Sequence, residues 1–195
     1  YKGLVMAGYQ GWFNAPDDGA RRGWYHYTGH DGFKPGSCTI DLWPEVSEYE
    51  ILYKTEFVFE DGSPAYTFSS YDASTVDTHF RWMEEYGIDG VFMQRFVAEI
   101  RNKSGKKHFS KVLDSAMESA NRHSRAICIM YDLSGMNPGD ENVLIADIKE
   151  LAERHSLFDH DSNPSYLHHN GKPLVTVWGV GFDDGRKYGY KEADK

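Results

Sequence analysis

The succession of apolar and polar positions along the chain predicts strands and helices in alternation. "GLVMAGYQGWF" (3–13) reads as a buried strand. After a long polar and aromatic insertion, "TEFVFEDGSPAYTF" (55–68) alternates around Asp61-Gly62, the pattern of a hairpin. Val76, Phe80 and Met83 then fall on one helical face; Ser74 with Asp77 resembles a capping box, and Gly87 stands where a left-handed cap ends a helix. "IDGVFMQRF" (88–96) is a second buried strand. A helix over 108–123 places Phe109, Val112, Leu113, Ala116, Met117 and Ala120 on one side, and the strand "AICIMYDLS" (126–134) follows. A third helix over 141–155 buries Leu144, Ile148, Leu151 and Ala152. The chain turns at Asn170-Gly171 before a fourth apolar strand over 174–180.

Continuous apolar strands alternating with amphipathic helices indicate an α/β protein whose parallel sheet is covered by helices. An open doubly wound sheet and a (β/α)8 TIM-type barrel both have this order. No Gly-rich phosphate loop follows the first strand, which weakens the nucleotide-binding arrangement. Polar and aromatic residues recur at strand ends: Tyr9-Gln10-Gly11-Trp12, Gln94-Arg95, Tyr131-Asp132 and Trp178. In a barrel these ends meet at one mouth, which favours that fold.

No repeat, low-complexity tract or linker divides the chain, so 1–195 reads as one domain. A complete barrel needs eight βα units and about 250 residues. Here the pattern supplies about four strands, and Lys191-Glu192-Ala193 looks like the opening of another helix. The expectation is the N-terminal part of a single barrel catalytic domain. A missing C-terminal half, or a second copy of the chain, would complete it.

A net charge of −9 leaves no basic stripe for a nucleic-acid partner. "RNKSGKK" (101–107) reads as a solvated loop. No apolar run is long enough to span a membrane. Cys38 and Cys128 form no CxxC and require no disulfide. The aromatic fraction is high at 15%, which supplies either large core rings or stacking faces for sugars.

The chemistry-bearing residues gather in a few stretches. "GWYHYTGHDGF" (23–33) brings Trp24, His26, His30 and Asp31 together. Two histidines four apart bind metal on a helix, but Thr28, Gly29 and Gly32 argue against one, so neither metal nor cofactor is expected. His168-His169 reads as a surface turn. No nucleophile elbow occurs, and Cys128 lies in an apolar strand. Carboxylates next to aromatic residues remain, the equipment of glycoside hydrolysis. Asp72 in "SSYDAST" and Asp132 in "MYDLSG" each adjoin a tyrosine. Asp72 reads equally as an Asx-turn residue before the helix. Asp132 ends a buried strand without an evident capping role and is the catalytic candidate.

The expected sugar subsites draw stacking area from Trp12, Trp24 and Trp178. Gln94 and Arg95 supply donors for hydroxyls or an acidic sugar. Tyr9, Gln10, His26, Asp31, Tyr71, Asp72 and Tyr131 complete the lining. Two other readings use the same residues: a non-catalytic carbohydrate-binding domain, and a metal-dependent hydrolase barrel built on His26, His30 and Asp31.

"SSYDASTVDTHFRWMEEYGIDGVFMQRF" (69–96) resembles the segment of glycoside hydrolase family 99 in which a Tyr-Asp precedes the first helix and a "GIDG" passage leads into the second strand. "YLHHNGKPLVTVWG" (166–179) is similar to that family's "NGKP" turn and strand. The resemblance implies a (β/α)8 barrel acting on α-linked oligosaccharide or polysaccharide with retention, in an exported, periplasmic or cell-surface protein. It further implies that the two functional glutamates lie beyond the fourth strand, so no residue here inherits their roles. The chain departs from the mannosidase pattern at Gln94-Arg95-Phe96, where an aromatic pair is expected, as in a divergent branch.

Overall fold

The computed structural model describes every residue except Tyr1, Asp183, Asp184, Tyr190, Glu192, Ala193 and Lys195. Glu192 and Ala193 of the expected helix opening lie outside the described residues. In chain order the elements are β1 (Met6–Tyr9), β2 (Tyr53–Val58), β3 (Pro64–Thr67), α1 (Ala73–Tyr86), β4 (Gly90–Phe96), α2 (Val97–Ile100), α3 (Lys103–Arg122), β5 (Ala126–Asp132), α4 (Glu141–Arg154), β6 (His168–His169), β7 (Lys172–Pro173) and β8 (Val175–Trp178).

Four of these strands form one parallel sheet in the order β1-β4-β5-β8. Helices separate them in sequence, so each crossover packs a helix on the same face. Val91, Met93, Ile127 and Ile129 point into that layer and are buried against Val76, Phe80, Val112 and Leu113. Each such side chain contributes roughly 1.5–3 kcal/mol by leaving water. A four-stranded parallel sheet with helices packed on it is consistent with part of a TIM-type barrel.

Local chemistry explains the element ends. Gly87 adopts φ 75°, and its N–H bonds the Met83 carbonyl, closing α1 as the sequence suggests. The start of α1 differs from expectation. Asp72, not Ser74, holds the N-cap position, and its side chain makes no bond to the helix. "RNKSGKK" is likewise not a loop before a helix, since Lys103 already opens α3. The long first strand shortens to Met6–Tyr9. His168 and His169 sit beside the turn at Asn170-Gly171, pairing with Pro173 and Lys172 in a small hairpin.

Between β1 and α1 the insertion builds its own aromatic packing. Hairpin β2–β3 is antiparallel, as the alternation predicts. Tyr27 stacks on Phe33 at 5.0 Å between centroids, and Phe33 meets Phe57 at 5.0 Å and Trp43 at 6.1 Å. The aromatic surplus is therefore used largely for packing in this region.

Candidate active-site face at the sheet's C-terminal edge

Side chains alternate across a strand, so each strand end divides the expected site residues between two faces. Phe96, Asp132 and Trp178 are register partners on β4, β5 and β8, although the Phe96 ring also packs on Phe109 of α3 at 5.5 Å. Neighbouring strands lie about 4.8 Å apart. The result is a row of ring, carboxylate and ring across three strand ends. Trp178 is half exposed, and Phe182 packs near it at 5.7 Å. One step down the same face, Gln94 Nε2 donates to Asp132 Oδ2 at 3.0 Å. That bond fixes the amide orientation and leaves Gln94 Oε1 buried without a partner.

Asp132 is only 4% exposed. Its second oxygen, Oδ1, accepts the Ser134 N–H at 2.8 Å, so it does cap a local turn, contrary to the sequence reading. A carboxylate engaged on both oxygens orients neighbours better than it transfers protons. Trp12 reaches the mouth, but Phe96 stacks on it at 5.5 Å and His26 at 4.2 Å. Its ring is occupied by the protein. His26 sits in left-handed backbone at φ 60°, and burial lowers its pKa, favouring the neutral imidazole.

Three expected mouth residues lie instead on the helix-covered face. Arg95 is 2% exposed; its Nε and Nη2 donate to Asp147 at 2.5 and 2.7 Å, and Nη2 reaches Ser110 Oγ at 3.2 Å. Tyr131 donates to the same Asp147 at 2.7 Å, and burial raises its pKa. Tyr9 bonds His79 Nδ1 at 2.8 Å, and Tyr49 bonds the other ring nitrogen at 2.7 Å. Burial pushes His79 down to about 4, so it remains neutral. These groups fasten helices to the sheet.

The remaining candidates scatter. Tyr71 is buried, stacked on His108 at 5.7 Å, with Lys111 over its ring at 4.0 Å. Asp72 accepts from Tyr53 at 2.9 Å, and its pKa is raised by burial and by the nearby Asp18 charge. Gln10 is half buried beside the end of β1. Trp24 belongs to the insertion. Asp31 is exposed and pairs with His30 at 2.9 Å, away from His26 as a ligand set; among the described residues no three His, Cys, Asp or Glu side chains converge as a metal site. Cys128 is buried, its thiol pushed up to about 12 by burial.

Glu99 escaped the sequence reading. It lies on α2, just past the end of β4. Arg22 Nη2 donates to its Oε2 at 2.6 Å and the Tyr25 hydroxyl to its Oε1 at 2.5 Å. A β-carbon on Gly105 would stand 2.3 Å from the Glu99 carbonyl, so the small residue lets α2 seat against α3 and sets this carboxylate. The signal was present: an acid immediately after a barrel strand sits at the mouth.

No protein-family model matches the sequence, and neither does any curated protein. Among solved structures the fold matches the family 99 endo-α-mannosidase of Bacteroides thetaiotaomicron in complex with bis-tris-propane, at TM-score 0.52 and 14% identity, over 89% of this chain and 41% of that one. A second structure of that enzyme matches at TM-score 0.52 and 13% identity, over 88% and 44%. The chain thus spans less than half the length of the structures it matches. The relationship to glycoside hydrolase family 99 is distant and is one of fold.

Proposed function

We propose that the chain forms a glycan-binding wall of a (β/α)8 glycoside hydrolase, with the substrate lying along the C-terminal edge of β4, β5 and β8. The observation that carries this is the strand-end pair Asp132–Trp178, a fixed carboxylate beside a half-exposed indole at the C-terminal edge of the sheet. Sugar C–H faces suit the half-exposed Trp178 ring. The fold likeness to an endo-α-mannosidase supports an α-linked glycan cut with retention, as the family resemblance implies.

Asp132 and Glu99 are both engaged by the protein, so on this reading they orient hydroxyls. The acid–base pair then comes from further βα units that extend the sheet at the edges of β1 and β8. Those units belong to the same polypeptide or a second copy. A polymeric glycan also implies an exported protein; no helix among the described residues is long and apolar enough to cross a membrane.

Binding and hydrolysis of α-linked mannose oligosaccharides test the proposal. The 195-residue chain should bind without measurable turnover. Trp178→Ala should weaken binding about tenfold, or about 1.4 kcal/mol. Turnover by this chain, abolished by Asp132→Asn, would return the catalytic role to Asp132. A second reading, a carbohydrate-binding domain without chemistry, draws on the doubly engaged Asp132 carboxylate. A longer form carrying four more βα units would stay inactive on that reading and gain hydrolysis on the first.

A further inference from the structure

A cavity of about 470 Å3 lies between the loop carrying Pro16, Asp17 and Trp24 and the strand β2, where Tyr53, Lys54 and Glu56 line it. Its size falls within the roughly 300–1,000 Å3 of small-ligand clefts. Resting on the glycan reading above, we infer that this groove is an accessory subsite for a neutral oligosaccharide, so the protein takes a polymer and not a short sugar.

The argument rests on which groups the protein leaves unused. Trp43 and Trp82 donate their indole N–H groups to Tyr66 O and Glu48. Trp24 Nε1 makes no hydrogen bond within the described residues. Its ring meets Tyr27 edge-on at 82° and Phe33 at 58°, so no parallel ring covers its face. Trp12, by comparison, is occupied by stacked neighbours. Lys54 and Glu56 lie exposed on β2 on either side of buried Thr55, and no ion pair among the described residues involves either. Asp17 stands at the groove in left-handed backbone, φ 68°.

The groove therefore offers donors, acceptors and an aromatic face at once. Sugar hydroxyls both donate and accept, and sugar rings lay apolar C–H groups on indole. One ammonium beside two carboxylates favours neither an acidic nor a nucleic-acid ligand. The Tyr53 hydroxyl, bonded to Asp72, ties this wall to the start of α1 and keeps the groove in place without the occupant.

Affinity as a function of glycan length tests the inference, with α-linked mannose oligosaccharides of two and six residues as probes. The wild-type chain should bind the hexamer about tenfold tighter than the dimer. Lys54→Ala/Glu56→Ala, which alters two exposed side chains, should remove that advantage and leave dimer affinity unchanged. The hexamer, and not the dimer, should shift the Trp24 indole N–H resonance in the wild type. Equal affinity for both lengths, an advantage that survives the double substitution, or an unmoved Trp24 signal would overturn the groove. Dimer binding lost in Trp178→Ala would still uphold the mouth. Binding of neither length would overturn both.

Discussion

Gln94 and Arg95 are neighbours in the chain and belong to different regions of the molecule. Gln94 faces the open side of the sheet, bonded to Asp132 and carrying an acceptor without a partner. Arg95 faces the helices, 2% exposed and locked to Asp147. The difference teaches that position at a strand end does not make a site residue. Strand parity decides which of two adjacent polar groups holds the helices to the sheet and which one turns to its other side.

The largest expected effect lies on the helix-covered side. Arg95→Leu leaves the Asp147 carboxylate buried with only Tyr131 and the more distant Lys106, 3.8 Å away. Stability should fall by roughly 3–5 kcal/mol, read from urea unfolding. A variant as stable as wild type would break the contrast, because Arg95 would then not be structural.

Acid is the next lever. Burial lowers His79 and His108 from 6.5 to about 4, and both imidazoles bond as neutral rings. His108 Nε2–H donates to the Gly11 carbonyl at 2.8 Å while Nδ1 accepts from Asn14 at 3.1 Å. Since the folded pKa lies below the unfolded one, the unfolded chain binds more protons between pH 6.5 and 4. The stabilisation is complete above 6.5 and is lost as pH falls towards 4, by up to about 3 kcal/mol for each ring. Unfolding midpoints measured across that window should drop on acidification, and drop about half as much in His108→Gln, where His79 still titrates. A flat wild-type profile would contradict the neutral-histidine packing.

On the open face the effects move from stability to binding. Trp178→Ala should change stability by no more than about 0.5 kcal/mol, since the ring is half exposed. Its cost should appear as the tenfold loss of glycan affinity. The reverse outcome, a destabilised protein that binds normally, would assign Trp178 to packing. At the small end, His30→Ala and Asp31→Ala alter an exposed pair. Stability should change by less than about 0.5 kcal/mol and glycan affinity not at all. A loss of bound metal in either variant would revive the metal reading of this loop.

Much of the scaffold was legible because strands and helices announce themselves by period. The apolar steps from Phe109 to Ala120 and the run around Val91 and Met93 returned as α3 and β4. Gly87 marked its cap correctly. The site was less legible for two physical reasons. Alternation gives relative facing but does not say which face the helices cover, so Tyr9, Arg95 and Tyr131 went to the wrong side. Long-range partners are also invisible locally: Asp147 is the reason Arg95 is buried, and Arg22 and Tyr25 are what hold Glu99. Asp132 and Trp178 stand at the ends of β5 and β8, where the sequence reading set them.

The most direct measurement follows side-chain N–H resonances while an α-linked mannose oligosaccharide is titrated into the labelled chain. The glycan should shift the Gln94 side-chain amide and the Trp178 indole N–H and leave the Arg95 Nε–H in place. Perturbation of Arg95 with Gln94 and Trp178 unmoved would contradict the assignment of the open face as the binding face.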